Sequence, residues 1–357
     1  MTAKAQPRTV NIGDRKVGDD EPAFVIAEAG VNHNGSLDRA IELVDVAARS
    51  GADAVKFQTF NAEELVTENA PKAAYQLAAA NPEESQLEML RSLELSYADH
   101  VTIFQHAKVR GITCLSTPFD GRSAELLNEL GVPAFKIGSG ELTNLPLIRQ
   151  VSAYGRPILV STGMSDLEEV RAAVDAVTGV GAAEKLVLLH CVSNYPAAPG
   201  DANLRAMETL ENTFRVPVGF SDHTLGYAIS IAAVALGARV IEKHFTLDRT
   251  LPGPDHLASL EPAELGAMIA AIRDVESALG NGEKKPAPSE REMRTVARRS
   301  LVATVRIDKG TRLTEEMLTA KRPAGGIPPS ELQHVLGRTA AVTVEAGEML
   351  TREKIRL

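Results

Sequence analysis

A closed barrel of eight parallel strands, (β/α)₈, followed by a small β-clip unit, is the α/β fold that this 357-residue sequence predicts. Three observations predict it. Eight short β-branched runs are mostly separated by segments of helical periodicity. Glycine stands just before several runs, where a helix C-terminus needs a left-handed residue. Each run begins apolar and ends polar. Eightfold alternation suits a closed parallel barrel. An open doubly wound dinucleotide fold would carry GxGxxG after its first strand, and this chain has none there.

The runs, in order, are Phe24–Gly30, Ala54–Phe60, Ile112–Pro118, Ala134–Gly140, Pro157–Gly163, Leu186–Ser193, Val216–His223 and Val240–Thr246. Segments such as LDRAIELVDVAARS and ELLNEL between them carry the helical period, and the punctuating glycines are Gly51, Gly111, Gly131, Gly155 and Gly237. Between the second and third runs, residues 61–111 form an excursion long enough to be a lid or a substrate-binding insert. The barrel is expected over residues 1–279. The Gly-, Pro- and charge-rich GNGEKKPAPSERE marks a linker at 280–294, and the β-clip occupies 295–357 with a turn at Asp308-Lys309-Gly310.

Composition narrows the function. Apolar residues make up 44% and charged residues 24% of the chain, ordinary globular usage that needs no disulfide or metal staple for folding. The two cysteines, Cys114 and Cys191, fall inside strand-like runs, and MTAKAQPRTV lacks a signal-length apolar stretch, so a cytoplasmic protein is expected. No membrane span is expected. The net charge of −9 argues against nucleic acid as a partner, because phosphate backbones need a basic surface. An anionic small substrate would then need inward-facing lysines.

The polar strand ends supply them. Lys, Glu, Ser and His at eight successive C-terminal strand ends have no use in a barrel built only for stability, whereas a catalytic face requires them. His223 and His244 end the seventh and eighth runs, and two converging imidazoles with open positions suit a divalent Lewis-acid metal. Two hydrogen-bonded polar histidines are the plainer alternative. Thr117, Ser139, Ser161 and Ser221 form a ring of neutral donors that, with Lys56 and Lys136, could hold a phosphate and a carboxylate together. A Schiff-base lysine is the rival enzyme chemistry. Glu28 and Glu141 either serve proton transfer or form ion pairs with those lysines. His100, His106 and His334 read as structural; His33, His190 and His256 lie in or beside the catalytic face with their roles open.

The motifs EAGVNHNG, DAVKFQTF, STPFD, FKIGSGELTNLPLI, VSTGM, GFSDHT, EKHFTLD and KRPAGG run nearly the length of the chain, and together they resemble the sialic acid synthase family with its C-terminal antifreeze-like domain. The resemblance implies condensation of phosphoenolpyruvate with an N-acetylated hexose, typically N-acetylmannosamine, to a nine-carbon 2-keto acid such as N-acetylneuraminate. It implies Mn²⁺, with Mg²⁺ or Co²⁺ as alternatives, and a domain-swapped homodimer. His223 and His244 match the family's metal ligands. Lys56, Thr117, Lys136, Ser139, Ser161 and Ser221 match its phosphoenolpyruvate contacts, Glu28 and Glu141 its active-site carboxylates, and Gln58, Tyr195, Asp255 and Arg322 positions around the sugar; Asn194, displaced by one from the family's asparagine, is expected to bind substrate with them.

Two departures bear on the acceptor. Neuraminate-making members often read C-T-N-x-Y-P where this chain has Cys191-Val192-Ser193-Asn194-Tyr195-Pro196, and Arg298 stands where a phenylalanine often precedes Arg299-Ser300. A legionaminic, pseudaminic or spore-coat type synthase is therefore an alternative. Synthases of seven- or eight-carbon keto acids would need more arginines at the mouth for a second phosphate. A non-catalytic carbohydrate-binding protein would have no need of the polar strand ends.

Overall fold

The computed structural model describes residues 8–73, 76–77 and 84–356. The chain divides into two compact units, Met1–Gly280 and Asn281–Leu357. The first opens with a hairpin, β1 (Thr9–Ile12) and β2 (Arg15–Gly18). Eight parallel strands follow: β3 (Phe24–Gly30), β4 (Ala54–Thr59), β5 (Thr113–Pro118), β6 (Phe135–Ile137), β7 (Ile158–Ser161), β8 (Leu186–Cys191), β9 (Val218–Asp222) and β10 (Val240–His244). They lie in the order β5-β4-β3-β10-β9-β8-β7-β6, and the two ends of this row, β5 and β6, pack side by side. This is the predicted barrel. Its helices are α1 (Leu37–Arg49), α2 (Ala62–Leu65), α3 (Gln86–Leu93), α4 (Tyr97–Arg110), α5 (Gly121–Leu130), α6 (Leu145–Ala153), α7 (Leu167–Thr178), α8 (Ala206–Phe214), α9 (Ala228–Ala235) and α10 (Pro262–Leu279).

Local chemistry places the helix ends where the glycines stand. Ser96 and Asp99 form a reciprocal capping box at the start of α4, and Gly111 closes that helix at φ 70°. Gly51, Gly131, Gly155 and Gly237 also have positive φ. The expected strand ends run long by a few residues: the fourth run leaves strand geometry after Ile137, and Ser139–Glu141 form a 3₁₀ turn that carries both side chains over the mouth.

Register sets which side chains meet. Val240 to His244 pair in parallel with Phe24 to Glu28, which puts His244 beside Glu28, while Lys56 pairs with Glu28 and Ser221 with Glu242. Side chains alternate across each strand. Lys56, Glu242 and His244 therefore point into the barrel, and Lys243 points out, where its Nζ lies 3.0 Å from Asp222 Oδ2 with both side chains fully buried. The hairpin lies outside the sequence-based expectation, although alternating TVNI and RKVG around a two-residue Gly-Asp turn is a hairpin signal. Val10, Ile12 and Val17 join Phe24, Ile26 and Leu115 in one apolar cluster, so the hairpin is part of the barrel's interior packing.

The second unit has its own core of Leu301, Ile307, Leu313, Ile327, Val344 and Leu350. Its ladders pair β11 (Ser300–Ala303) with β12 (Leu318–Lys321) and β13 (Thr339–Ala340) with β14 (Ile355–Arg356). Within the stretch read as a linker, Pro288–Glu290 form a 3₁₀ turn and exposed α11 (Arg291–Ala297) begins. Among the described residues no helix is long and apolar enough to cross a membrane.

Candidate active site

At the C-terminal ends of the barrel strands a cavity of about 320 Å³ opens. Glu28, Lys56, Gln58, Thr117, Lys136, Ser139, Ser161, Tyr195, Ser221, His223 and His244, all named from sequence, line it. So does Glu242, which sequence reasoning missed.

Four buried ionisable groups organise its floor. Lys56 Nζ lies 2.7 Å from Glu28 Oε2 and 3.7 Å from Glu242 Oε2, while Lys136 Nζ lies 3.1 Å from Glu242 Oε1. Burial opposes the charge on Glu242, but Lys136 and Lys56 outweigh it and hold this carboxyl far below its usual range. The opposite holds for Glu28. Burial dominates there, with repulsion from Glu242 added to it, and raises its pKa to about 7 despite Lys56. Burial also works against the charge on Lys56, and its two carboxylates overcome it and keep the amine protonated. With Glu28 neutral the quartet carries one surplus positive charge. That is the local cationic field which a chain of net charge −9 needs in order to hold an anion.

Around this floor stand the hydroxyls. Lys56 Nζ donates to Thr117 Oγ1 at 2.8 Å, Ser221 Oγ donates to Glu242 Oε1 at 2.8 Å, and Gly163 N–H donates to Ser139 Oγ at 3.0 Å. Ser161 Oγ is buried without a hydrogen-bond partner. A buried hydroxyl left unpaired costs free energy that a bound oxyanion would relieve.

The two histidines meet beside Tyr195, their ring centroids 5.5 Å apart. His223 Nδ1 lies 2.7 Å from the Val192 carbonyl; burial disfavours a charge on this imidazole, but the neighbouring Cys191 and that carbonyl outweigh it and push its pKa up. His244 Nδ1 is buried, unpartnered and 3.6 Å from Asp255 Oδ2; burial, then His223, holds this imidazole well below its usual pKa and so neutral. Burial raises Asp255 to about 6. Among the described residues no cluster of three or more His, Cys, Asp or Glu is disposed to hold a metal. The donor set fits an ion held by two imidazoles with its other positions left to water and substrate, not a closed structural site.

A second cavity of about 330 Å³ adjoins the first and shares Gln58, Phe119, Gly140, Tyr195 and His244 with it. Glu141 and Asp255 line this one, and Glu141 Oε2 accepts from Asn144 Nδ2 at 2.7 Å. Of the ion pairs expected with lysine, Glu28 makes one and the described partner of Glu141 is Asn144.

Residues 43–284 match the NeuB family, and residues 298–356 match the SAF domain. The chain belongs to the NeuB family. It is 48% identical to an N,N'-diacetyllegionaminic acid synthase of Legionella pneumophila over 98% of each chain. It is 37% identical to the human N-acetylneuraminate-9-phosphate synthase, over 96% of this chain and 95% of that one. Among solved structures it resembles an N-acetylneuraminic acid synthetase from Leptospira borgpetersenii, crystallised with citrate, at TM-score 0.72 and 35% identity, covering 80% of this chain and 95% of that one. The chain is thus an enzyme of the sialic, legionaminic and pseudaminic acid synthase family.

In this NeuB-family chain, Ser193 and Tyr195 line the first cavity, while neighbouring Asn194 is exposed and lines neither cavity. Arg322 is exposed at the end of β12 in the second unit. The remaining histidines line neither cavity. His33 is fully buried and accepts from Gly35 N–H, His190 Nε2 bonds the Ala202 carbonyl, and His256 lies between Thr246 and Asn34. His100 bridges Thr59 and the Ser96 carbonyl, and His106 pairs with Asp45. The signal that could have revealed Glu242 was the period of two in VIEKH, since the residue two before an inward His244 must also face inward.

Proposed function

We propose that this enzyme condenses phosphoenolpyruvate with an open-chain, N-acetylated hexose to a nine-carbon 2-keto acid of the legionaminic type, with release of phosphate. The observation that carries the acceptor reading is the end-to-end 48% identity to an N,N'-diacetyllegionaminic acid synthase, against 37% to the human neuraminate-9-phosphate enzyme. The comparisons thus favour the legionaminic reading over N-acetylmannosamine as the acceptor.

The chemistry follows from the two adjoining cavities. Lys56, Lys136 and the hydroxyls of Ser161 and Ser139 hold the carboxylate and phosphate of phosphoenolpyruvate. His223 and His244 would hold a divalent ion, Mn²⁺ foremost, which as a Lewis acid polarises the acceptor's aldehyde oxygen. C3 of the enol forms a bond to the aldehyde carbon, leaving C2 electron-poor. Water held by Glu141 adds to C2, and collapse of that adduct breaks the C2–O bond to release phosphate. Glu28 exchanges its proton near neutral pH in the same cavity and is the group suited to hold or deliver one there.

The test is to incubate the enzyme with phosphoenolpyruvate, Mn²⁺ and a panel of N-acetylated hexoses, and to identify any keto acid by mass. Formation of a nine-carbon keto acid with stoichiometric phosphate supports the reading. Phosphate release with no carbon–carbon bond would refute it.

A further inference from the structure

Backbone pairing between β9 and β10 stops at Asp222 and Lys243, one residue short of each histidine. Beyond that pair the histidines turn to different neighbours. The His223 carbonyl accepts from Ala197 N–H at 2.8 Å and its Nδ1 lies 2.7 Å from the Val192 carbonyl, both in the loop after β8. His244 pairs instead with Glu28 of β3, and its carbonyl accepts from Leu260 N–H at 2.9 Å. The ladder thus leaves the last step between the two imidazoles to side chains.

A buried network spans that step. Lys243 Nζ donates to the Thr224 carbonyl and lies 3.0 Å from Asp222 Oδ2, so one ammonium from β10 holds the residue on each side of His223. Asp222 secures the same turn. Its Oδ1 accepts from Thr224 N–H at 2.8 Å and from Thr224 Oγ1 at 2.7 Å, and its Oδ2 accepts from Ser230 Oγ at 2.6 Å. All four residues are buried and line neither cavity, so they act on the site only through the histidines. Stability alone does not account for the ion pair. Removing two charges from water offsets most of their attraction, and an apolar pair of similar volume would fill the same space. An apolar pair could not bond the carbonyl beyond His223.

Resting on the synthase reading above, in which the two imidazoles hold a divalent ion, we infer that Lys243 and Asp222 are positioning residues: they set His223 against His244, and thereby the affinity of the pair for metal.

The experiment compares wild type with Asp222→Asn/Lys243→Met, which removes both charges together and keeps an acceptor for Thr224. Arg273→Met is the control, because it breaks an ion pair with Asp53, just before β4 and away from the histidines. Mn²⁺ affinity is read by electron paramagnetic resonance without substrate, and stability by urea denaturation. The double variant should bind Mn²⁺ about ten- to a hundredfold more weakly, the loss typical of residues behind metal-bound imidazoles, with its urea midpoint within about 0.5 M of wild type. Arg273→Met should leave Mn²⁺ affinity unchanged. If the double variant does not fold, Lys243→Gln carries the same prediction. Unchanged affinity in the Lys243 variant, or an equal loss in Arg273→Met, overturns the inference. If wild type itself binds no Mn²⁺, the metal reading falls, and NMR of protein labelled at histidine Cε1 decides the clamp. The His223 and His244 signals should then shift in the variant while those of His106 and His334 stay in place; four unshifted signals overturn it.

Discussion

Lys56 Nζ and Glu28 Oε2 stand 2.7 Å apart on adjacent strands, each side chain no more than 3% exposed, yet the carboxyl is held at about pKa 7. Contact with a lysine ordinarily lowers a carboxyl's pKa. Here burial outweighs the lysine, and repulsion from Glu242, which lies within ion-pair distance of both Lys56 and Lys136, adds to it. Glu28 is the group left to titrate.

The sign of that titration sets a pH dependence. Below about pH 7 Glu28 is protonated and the quartet is net positive; above it Glu28 ionises and the surplus charge disappears. Phosphoenolpyruvate affinity should therefore weaken by up to tenfold per pH unit above 7, and Glu28→Gln should flatten the profile. Titration of the ligand's own phosphate is common to both proteins, so the difference between their profiles isolates Glu28. Parallel profiles from pH 6 to 9 would disprove this assignment.

Glu242→Gln should destabilise the barrel by about 3 kcal/mol, the cost of leaving a buried charge without its partner. Phosphoenolpyruvate can replace that missing negative charge. Urea denaturation with and without the ligand should show a larger ligand-induced stabilisation in the variant than in wild type. Equal stabilisation would mean that the ligand does not meet these lysines.

Gly163 bears on the anion cavity through space, not charge. A Cβ there would come within 2.3 Å of Ser193 Oγ and 2.8 Å of Ser139 Oγ. Gly163→Ala should push both hydroxyls out of place and lower kcat/KM by a hundredfold or more while the circular dichroism spectrum stays unchanged. Near-normal turnover in the variant would show that neither hydroxyl holds the donor.

Metal dependence separates the two chemistries weighed from sequence. Chelator should abolish turnover and Mn²⁺ restore it, and His223→Ala or His244→Ala should lose Mn²⁺ binding when followed by electron paramagnetic resonance. Borohydride with substrate should leave no adduct on lysine. Full activity in excess chelator would bring back the Schiff-base lysine.

Arg322 tests the expected swapped dimer. Arg322→Ala and Lys56→Ala should each be nearly inactive. If Arg322 serves the partner's barrel, a mixed dimer has one intact site, and random reassociation of equal amounts should recover about a quarter of wild-type activity. No recovery after unfolding, mixing and refolding, under conditions where wild type refolds, would rule out a shared site.

The barrel was legible in the amino-acid sequence, because eight apolar-to-polar runs with glycine between them are local signals that do not depend on which strand neighbours which. Most of the cavity lining was legible too. Inward residues at strand ends converge in any closed barrel, so Lys56, Lys136, Ser161, Ser221, His223 and His244 were legible without knowing the register. How the charges are shared was not legible there. That Glu242 bridges both lysines while burial holds Glu28 near neutrality depends on ångström distances between β3, β4, β6 and β10, which come from four separated parts of the chain. Part of the second cavity's lining was hidden for a related reason. Leu65, Met89 and Leu93 carry only the ordinary signal of core-facing helix residues, and only the packing of the excursion beside Glu141 and Asp255 sets them against a cavity.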